Sequence, residues 1–212
     1  MKKVPPFVAN SSDDLHCVNA VFRMVHQHFL GTDLTWEEID RLTHAIPGKG
    51  TWTFVGLTEF VKKGIKIIHF EPIDYKRLYG EGISYLKQVV GTDTANYYIK
   101  KSNFISVIPY IPEYLKFVKN ETRKATTEEI IAFLKQEHLV GVEVNSDILN
   151  YTPGFNLHYI LLYDFDGTHL IVHDPGLPPI KSRKITTGDF EKCFNFPGSN
   201  GGITVFSKKT IT

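Results

Sequence analysis

The segment between His158 and Asp174 leaves this chain the least freedom. His158-Tyr159-Ile160-Leu161-Leu162-Tyr163 and His169-Leu170-Ile171-Val172-His173-Asp174 are rich in β-branched, aliphatic and aromatic residues, and they flank Asp164-Phe165-Asp166-Gly167-Thr168. The pattern predicts a tight β-hairpin and commits the C-terminal part of the chain to an antiparallel sheet. A three-residue loop, Phe165-Asp166-Gly167 with Gly167 left-handed, sets Leu162 opposite Leu170, Ile160 opposite Val172 and His158 opposite Asp174. Side chains alternate at period two, so these pairs share a face that is aliphatic except at its end, where an imidazole meets a carboxylate. Tyr159, Leu161 and Tyr163 then oppose His173, Ile171 and His169 on the other face. A five-residue loop gives the same pairing, whereas a two-residue Asp166-Gly167 turn sets His158 opposite Pro175 and separates the two groups.

The second constraint lies near the N-terminus, in Asn10-Ser11-Ser12-Asp13-Asp14-Leu15-His16-Cys17-Val18-Asn19-Ala20, where a polar loop runs into a helix. Val18, Val21, Phe22, Val25 and Phe29 fall at helical spacing and give the helix one apolar face. Asp13 and Asp14 are N-cap candidates. A thiol in the first turn feels the partial positive charge of unpaired backbone N–H groups, which favours the nucleophilic thiolate. A lone cysteine is as a rule a small buried apolar residue, so Cys17 needs a partner base before it means more. The His158–Asp174 end of the hairpin supplies a candidate: a carboxylate on one imidazole nitrogen fixes the tautomer and leaves the other free to take a thiol proton.

The 212 residues suffice for one large domain, 1–212, with a proper core. Lys plus Arg number 24 against 23 Asp plus Glu, so bulk charge gives no argument for nucleic acid or an anionic membrane. No apolar run is long enough for a signal peptide or a membrane span, which makes a cytoplasmic protein the parsimonious expectation. Cys17 and Cys193 are too few for a disulfide framework and are read as free thiols. The aromatic content of 13% points to a filled core or an aromatic-lined groove and away from disorder.

Between these constraints, capping boxes at Thr35-Trp36-Glu37-Glu38 and Thr126-Thr127-Glu128-Glu129 open helices, and Trp52 to Lys63 keeps helical spacing. Ile65 to Phe70, Leu139 to Val144 and Gly202 to Phe206 read as strands, the last rejoining the sheet, and Thr186 to Glu191 opens a short final helix. Pro47-Gly48-Lys49-Gly50 lacks the preceding strand and the Gly-Lys-Ser/Thr run of a phosphate loop. Residues from about 72 to 124 read as a helical excursion with helices at Ser84 to Val90, Thr94 to Lys100 and Pro112 to Lys119, and a loop at Asn120 to Arg123. Its many tyrosines suit half-buried packing, or an aromatic surface for a peptide.

No cofactor or metal is expected. His169 and His173 would lie about 13 Å apart on a strand face at ~3.3 Å per residue, and His26 and His28 point different ways on a helix.

Cys17-Val18-Asn19-Ala20, His158-Tyr159-Ile160-Leu161-Leu162-Tyr163, Ile171-Val172-His173-Asp174-Pro175 and the short helix at Gly188-Asp189-Phe190 together resemble the papain-like clan of cysteine peptidases, most closely the bacteriocin-leader-processing (double-glycine) peptidases and their stand-alone relatives. The resemblance covers roughly residues 8–70 and 125–207 and leaves the helical excursion outside it. It implies an α+β papain-like fold, an N-terminal helical half packed on a mainly antiparallel sheet. It also implies a triad of Cys17, His158 and Asp174 acting through an acyl-enzyme on a peptide or other acyl substrate. Such families have Asp before the cysteine and Gly after it, where this chain has His16 and Val18. They carry an oxyanion-hole Gln six residues ahead of the cysteine, where this chain has Ser11; Asn10 could offer the equivalent amide beside the Cys17 backbone N–H. The leading expectation is a peptidase or amidase. The same triad suits an acyltransferase moving an aminoacyl group from a carrier protein to a small amine. The rival from another class is a catalytically silent module that uses its Tyr-rich excursion to bind a peptide or partner.

Overall fold

Thr35 and Thr126 begin helices as their sequence contexts require: each hydroxyl accepts the backbone N–H three residues on, while Glu38 and Glu129 reach back to the N–H groups of the two threonines. A computed structural model describes residues 3–197, 199 and 201–208. Its N-terminal half runs α1 (Cys17–Leu30), α2 (Trp36–Thr43), α3 (Phe54–Lys62) and β1 (Lys66–Phe70). The helical region follows as α4 (Tyr75–Glu81), α5 (Ile83–Val90), α6 (Thr92–Lys101), α7 (Phe104–Val107) and α8 (Ile111–Phe117). Then come β2 (Lys119–Glu121), α9 (Thr127–Lys135), β3 (Leu139–Asn145) and α10 (Ser146–Leu149). The chain closes with β4 (Leu157–Phe165), β5 (His169–Asp174), β6 (Ile180–Thr186), α11 (Thr187–Phe194) and β7 (Ile203–Ser207).

The architecture is α+β. Seven strands form one sheet in the order β2-β1-β7-β3-β4-β5-β6, antiparallel throughout except for the β1–β2 pair. The strand at Gly202 to Phe206 does rejoin the sheet, and it does so at the middle. Apolar side chains fill two cores. The larger joins Val21, Phe22 and Val25 of α1 to Phe54, Phe60, Tyr159, Leu161 and Phe206. The smaller joins Ile160, Leu162, Val172 and Val205 to Ile130 of α9 and Phe190 of α11. Burial of each large apolar side chain contributes roughly 1.5–3 kcal/mol, so the sheet is held from both faces.

The region from about 72 to 124 is helical as expected, but it is not an appendage, since Tyr75, Tyr85, Tyr98, Phe104 and Tyr114 belong to the larger core. These tyrosines are buried rather than half-buried, because each hydroxyl finds a partner: Tyr75 with Glu71, Tyr98 with Glu143, Tyr114 with His69, and Tyr85 with the Asp74 N–H. The expected loop at Asn120 to Arg123 begins instead inside β2, an edge strand parallel to β1. The sequence Lys-Asn-Glu has little strand propensity, and the open edge of β1 recruits it. Strand β6, polar and mostly exposed at the other edge, carries no apolar alternation that would reveal it.

The hairpin register also differs from the expectation. The turn lies one residue later, at Gly167-Thr168, because the Asp166 carboxylate accepts the N–H groups of Thr168 and His169 at 3.0 and 2.8 Å. Phe165 therefore faces Leu170 and Asp164 faces Ile171. Continued unbroken, that register would put His158 and Asp174 on opposite faces. A β-bulge at Tyr163 intervenes, after which Leu162 faces Val172 and Leu161 faces His173. The extra residue restores the parity, and His158 and Asp174 share a face as diagonal neighbours rather than directly opposed ones. A diagonal separation of ~7–8 Å between backbones is within reach of these two side chains.

The Phe22 ring of α1 lies against α3 because position 56 has no side chain. A Cβ there would lie 2.3 Å from Phe22 Cε2 and 2.9 Å from Thr43 Cγ2. Gly56→Ala is expected to destabilise the protein by ~1–3 kcal/mol through overpacking. Urea unfolding tests this, with a lower midpoint and unchanged slope as the expected result.

Candidate active site

The loop ahead of α1 is built around one amide. Asn10 Oδ1 accepts the backbone N–H groups of Ser11 and His16, both at 2.9 Å, and Asn10 Nδ2 donates to Asp14 Oδ1 at 2.9 Å. The Asn10 N–H donates to Pro175 O at 2.8 Å, fastening the loop to the chain just past β5. A second tie runs from His173, whose Nε2 donates to Pro5 O at 2.9 Å while its Nδ1 accepts the Ser182 N–H at 3.2 Å.

Neither Asp13 nor Asp14 caps α1, contrary to the sequence expectation. The N-cap is His16, whose side chain makes no capping bond. The Asp13 carboxylate turns to the Leu15 N–H and the His16 ring, and Asp14 adopts a left-handed backbone with φ of 59° to serve Asn10. The first turn of α1, which begins with Cys17, therefore carries no acidic residue and no side-chain cap. Its N–H groups are left to favour negative charge at that end of the helix. Cys17 is half-buried and free.

His158 is the second residue of β4, and its Nε2 lies 2.7 Å from Asp174 Oδ1. The imidazole and Cys17 line the same cavity, and Cys17 is near enough to act on the charge of the ring. With Nε2 engaged by the carboxylate, Nδ1 is the nitrogen left for the thiol. Asp174 is itself tightly held: its Oδ1 also accepts the Gly176 N–H at 3.0 Å, and its Oδ2 accepts Arg183 Nη1 at 2.8 Å. Arg183 in turn donates to Leu149 O at 2.6 Å and Asn150 Oδ1 at 2.8 Å. Burial alone would depress the His158 pKa, but the hydrogen bond to Asp174 and the influence of Cys17 and Asp174 raise it to about 10. Burial acts against ionisation of Asp174, yet His158, Gly176 and Arg183 together hold its carboxyl below the usual carboxylate range.

Beside Cys17 and His158 opens a cavity of about 200 Å³. Trp52, Tyr97, Tyr98 and Tyr159 wall it, and Glu71 and Glu143 reach it from the sheet. Cys17 and His158 line this space, whereas Asn10 does not. Arg183, Gly176 and the two glutamates were missed by sequence reasoning. Glu143 had left a signal, as the one charged residue within Leu139-Val140-Gly141-Val142-Glu143-Val144.

No family model matches the chain, and no curated protein matches it. Among solved structures the chain is similar to a double-glycine-motif protease from an AMS/PCAT transporter, in complex with the leader peptide. Identity is 12% and the TM-score 0.49, over 97% of this chain and 92% of that one. It is also similar to the peptidase domain of Streptococcus ComA, a bifunctional ABC transporter of a quorum-sensing pathway. Here identity is 15% and the TM-score 0.48, over 97% of this chain and all of that one. The likeness is one of fold.

The raised His158 pKa has a testable sign. A protonated imidazole contributes stability fully below its ordinary value of 6.5, and loses it as pH rises through about 10. Cys17→Ala and Asp174→Asn each remove one cause of the shift and should each lower the pKa, read by NMR titration of the imidazole protons. An unchanged value in both variants would show that other groups set the charge at residue 158.

Proposed function

We propose that the chain is a cysteine-dependent peptidase or amidase working through a Cys17–His158–Asp174 triad. The observation that carries the reading is the imidazole with Nε2 2.7 Å from Asp174 Oδ1, lining together with Cys17 a cavity large enough for part of a substrate.

The chemistry follows from that order. The Cys17 thiolate attacks a carbonyl carbon, forming a C–S bond as the carbonyl electrons move to oxygen. The Cys17 backbone N–H, free at the helix start, donates to the oxyanion. Asn10 contributes by fixing the loop that presents this N–H. Collapse of the tetrahedral adduct breaks the C–N bond, and the imidazolium gives its proton to the departing amine. His158 then takes a proton from water, whose oxygen attacks the thioester carbonyl; the C–S bond breaks, releasing the acid and restoring the thiolate beside the imidazolium. Asp174 remains ionised throughout, orienting the ring and stabilising its cation, and Arg183 and Gly176 keep the carboxylate from rotating away.

Cys17→Ala should keep the fold and abolish the acyl-enzyme, with thermal melting and intact-mass trapping as the two measurements. Asp174→Asn should depress turnover strongly by favouring the wrong imidazole tautomer, an effect of ~10⁴ in the serine-protease analogue. Wild-type protein that never forms an adduct with any activated acyl donor or electrophile would return Cys17 to the role of a packing residue.

A further inference from the structure

The cavity beside Cys17 and His158 is lined by two carboxyl groups, of Glu71 and Glu143, that the proposed hydrolysis does not use. Glu143, on β3, lines it with Oε1 accepting the Tyr98 hydroxyl at 2.8 Å. Glu71, one residue past β1, accepts the Tyr75 hydroxyl and lies 3.9 Å from His69 Nε2. His69 brings no charge, because burial presses its pKa down to about 3. Lys101, at the rim, is exposed and makes no ion pair with Glu143. Burial also pushes the Glu143 carboxyl up to about 7, only partly offset by Tyr98, so a cationic group beside it would favour its ionised form.

The remaining walls suit an organic cation. Trp52 and Tyr98 stand with ring centroids 4.8 Å apart, and Tyr159 closes the same space from β4. Aromatic faces attract an ammonium or guanidinium group and give a metal ion no ligand. Thr51, only 9% exposed and lining the same cavity, has a hydroxyl oxygen with no hydrogen-bond partner among the described residues. An N–H donor from a ligand would satisfy it.

We infer that this cavity binds the protonated amine or guanidine of the substrate, held by Glu143 against the rings of Trp52 and Tyr98 while the reacting carbonyl lies at Cys17. The inference rests on the reading of Cys17 as a nucleophile and adds the substrate class to it. The cation can sit on the acyl half, as a side chain, or on the amine half.

Two experimental arms on the full chain separate these sources. In the first, chloromethyl ketones of N-acetyl-lysine and N-acetyl-norleucine, alike in shape but different in charge, are compared by the rate at which intact mass shows Cys17 alkylated. In the second, butane-1,4-diamine and butane-1,4-diol are compared as protectors of Cys17 against iodoacetamide, and by calorimetry on Cys17→Ala. A charge-assisted hydrogen bond predicts at least about a tenfold preference for the cationic member. A preference in the first arm assigns the cation to the acyl half, and one in the second assigns it to the amine half. In either case Glu143→Gln should erase most of the ratio, with melting confirming that the variant folds. Labelling of Cys17 by iodoacetamide with no charge preference in either arm overturns the inference and leaves the nucleophile standing. Cys17 unreactive to every electrophile, with the diamine still binding Cys17→Ala tenfold better than the diol, would sink the nucleophile and keep the cation site.

Discussion

One buried carboxylate organises the region where three parts of this chain meet. Asp174, at the end of β5, accepts hydrogen bonds from the His158 ring, the Gly176 backbone and the Arg183 guanidinium, which itself reaches back to residues 149 and 150. A single ionised side chain thus ties β4, β5, β6 and the turn after α10 into one arrangement. Leaving such a charge buried without partners would cost several kcal/mol, so the partners and the local fold require one another. The imidazole orientation at the mouth of the cavity is a by-product of that requirement.

The helix bearing Cys17 is brought to the same place by different forces. Its apolar side packs into the larger core, with Phe22 pressed into the gap left by Gly56, while its N-terminal end is positioned by the Asn10 loop. The loop and the sheet are joined at Pro175 and through His173 to Pro5, on either side of Asp174. Van der Waals packing therefore sets the depth of the helix, and a few directional hydrogen bonds set the aim of its first turn. The cavity lies beside that first turn, and β3 and β4 contribute Glu143 and Tyr159 to it. Polar groups in and behind this space pair with tyrosine hydroxyls, Glu143 with Tyr98, Glu71 with Tyr75 and His69 with Tyr114.

What could be read directly from residues was local. The two capping boxes, the amphipathic side of α1, the main strands and the left-handed Gly167 all follow from short-range propensity and periodicity, and each holds in the structure. The candidacy of Cys17, His158 and Asp174 was legible for the same reason, since a helix start, the beginning of a strand and a strand end are themselves local features. The N-cap assignment to Asp13 or Asp14 failed for a reason outside their own neighbourhood, since Asn10 draws Asp14 away into a bond of its own. Edge strands β2 and β6 were illegible because pairing with a neighbour, not composition, makes them strands.

The hairpin marks the boundary most sharply. By itself the sequence determined that two strands meet at a turn near Gly167 and that an imidazole and a carboxylate stand at their far ends. Whether those groups share a face depended on a parity that no local pattern encodes: the turn fell one residue late, and the bulge at Tyr163 corrected it. The proximity of Glu71 and Glu143 was likewise decided only when β1 and β3, separated in the sheet by β7, came under the same helices. Short-range sterics and hydrogen bonding are written residue by residue, whereas register and cavity walls arise from contacts between segments far apart in the chain, fixed only when both cores close.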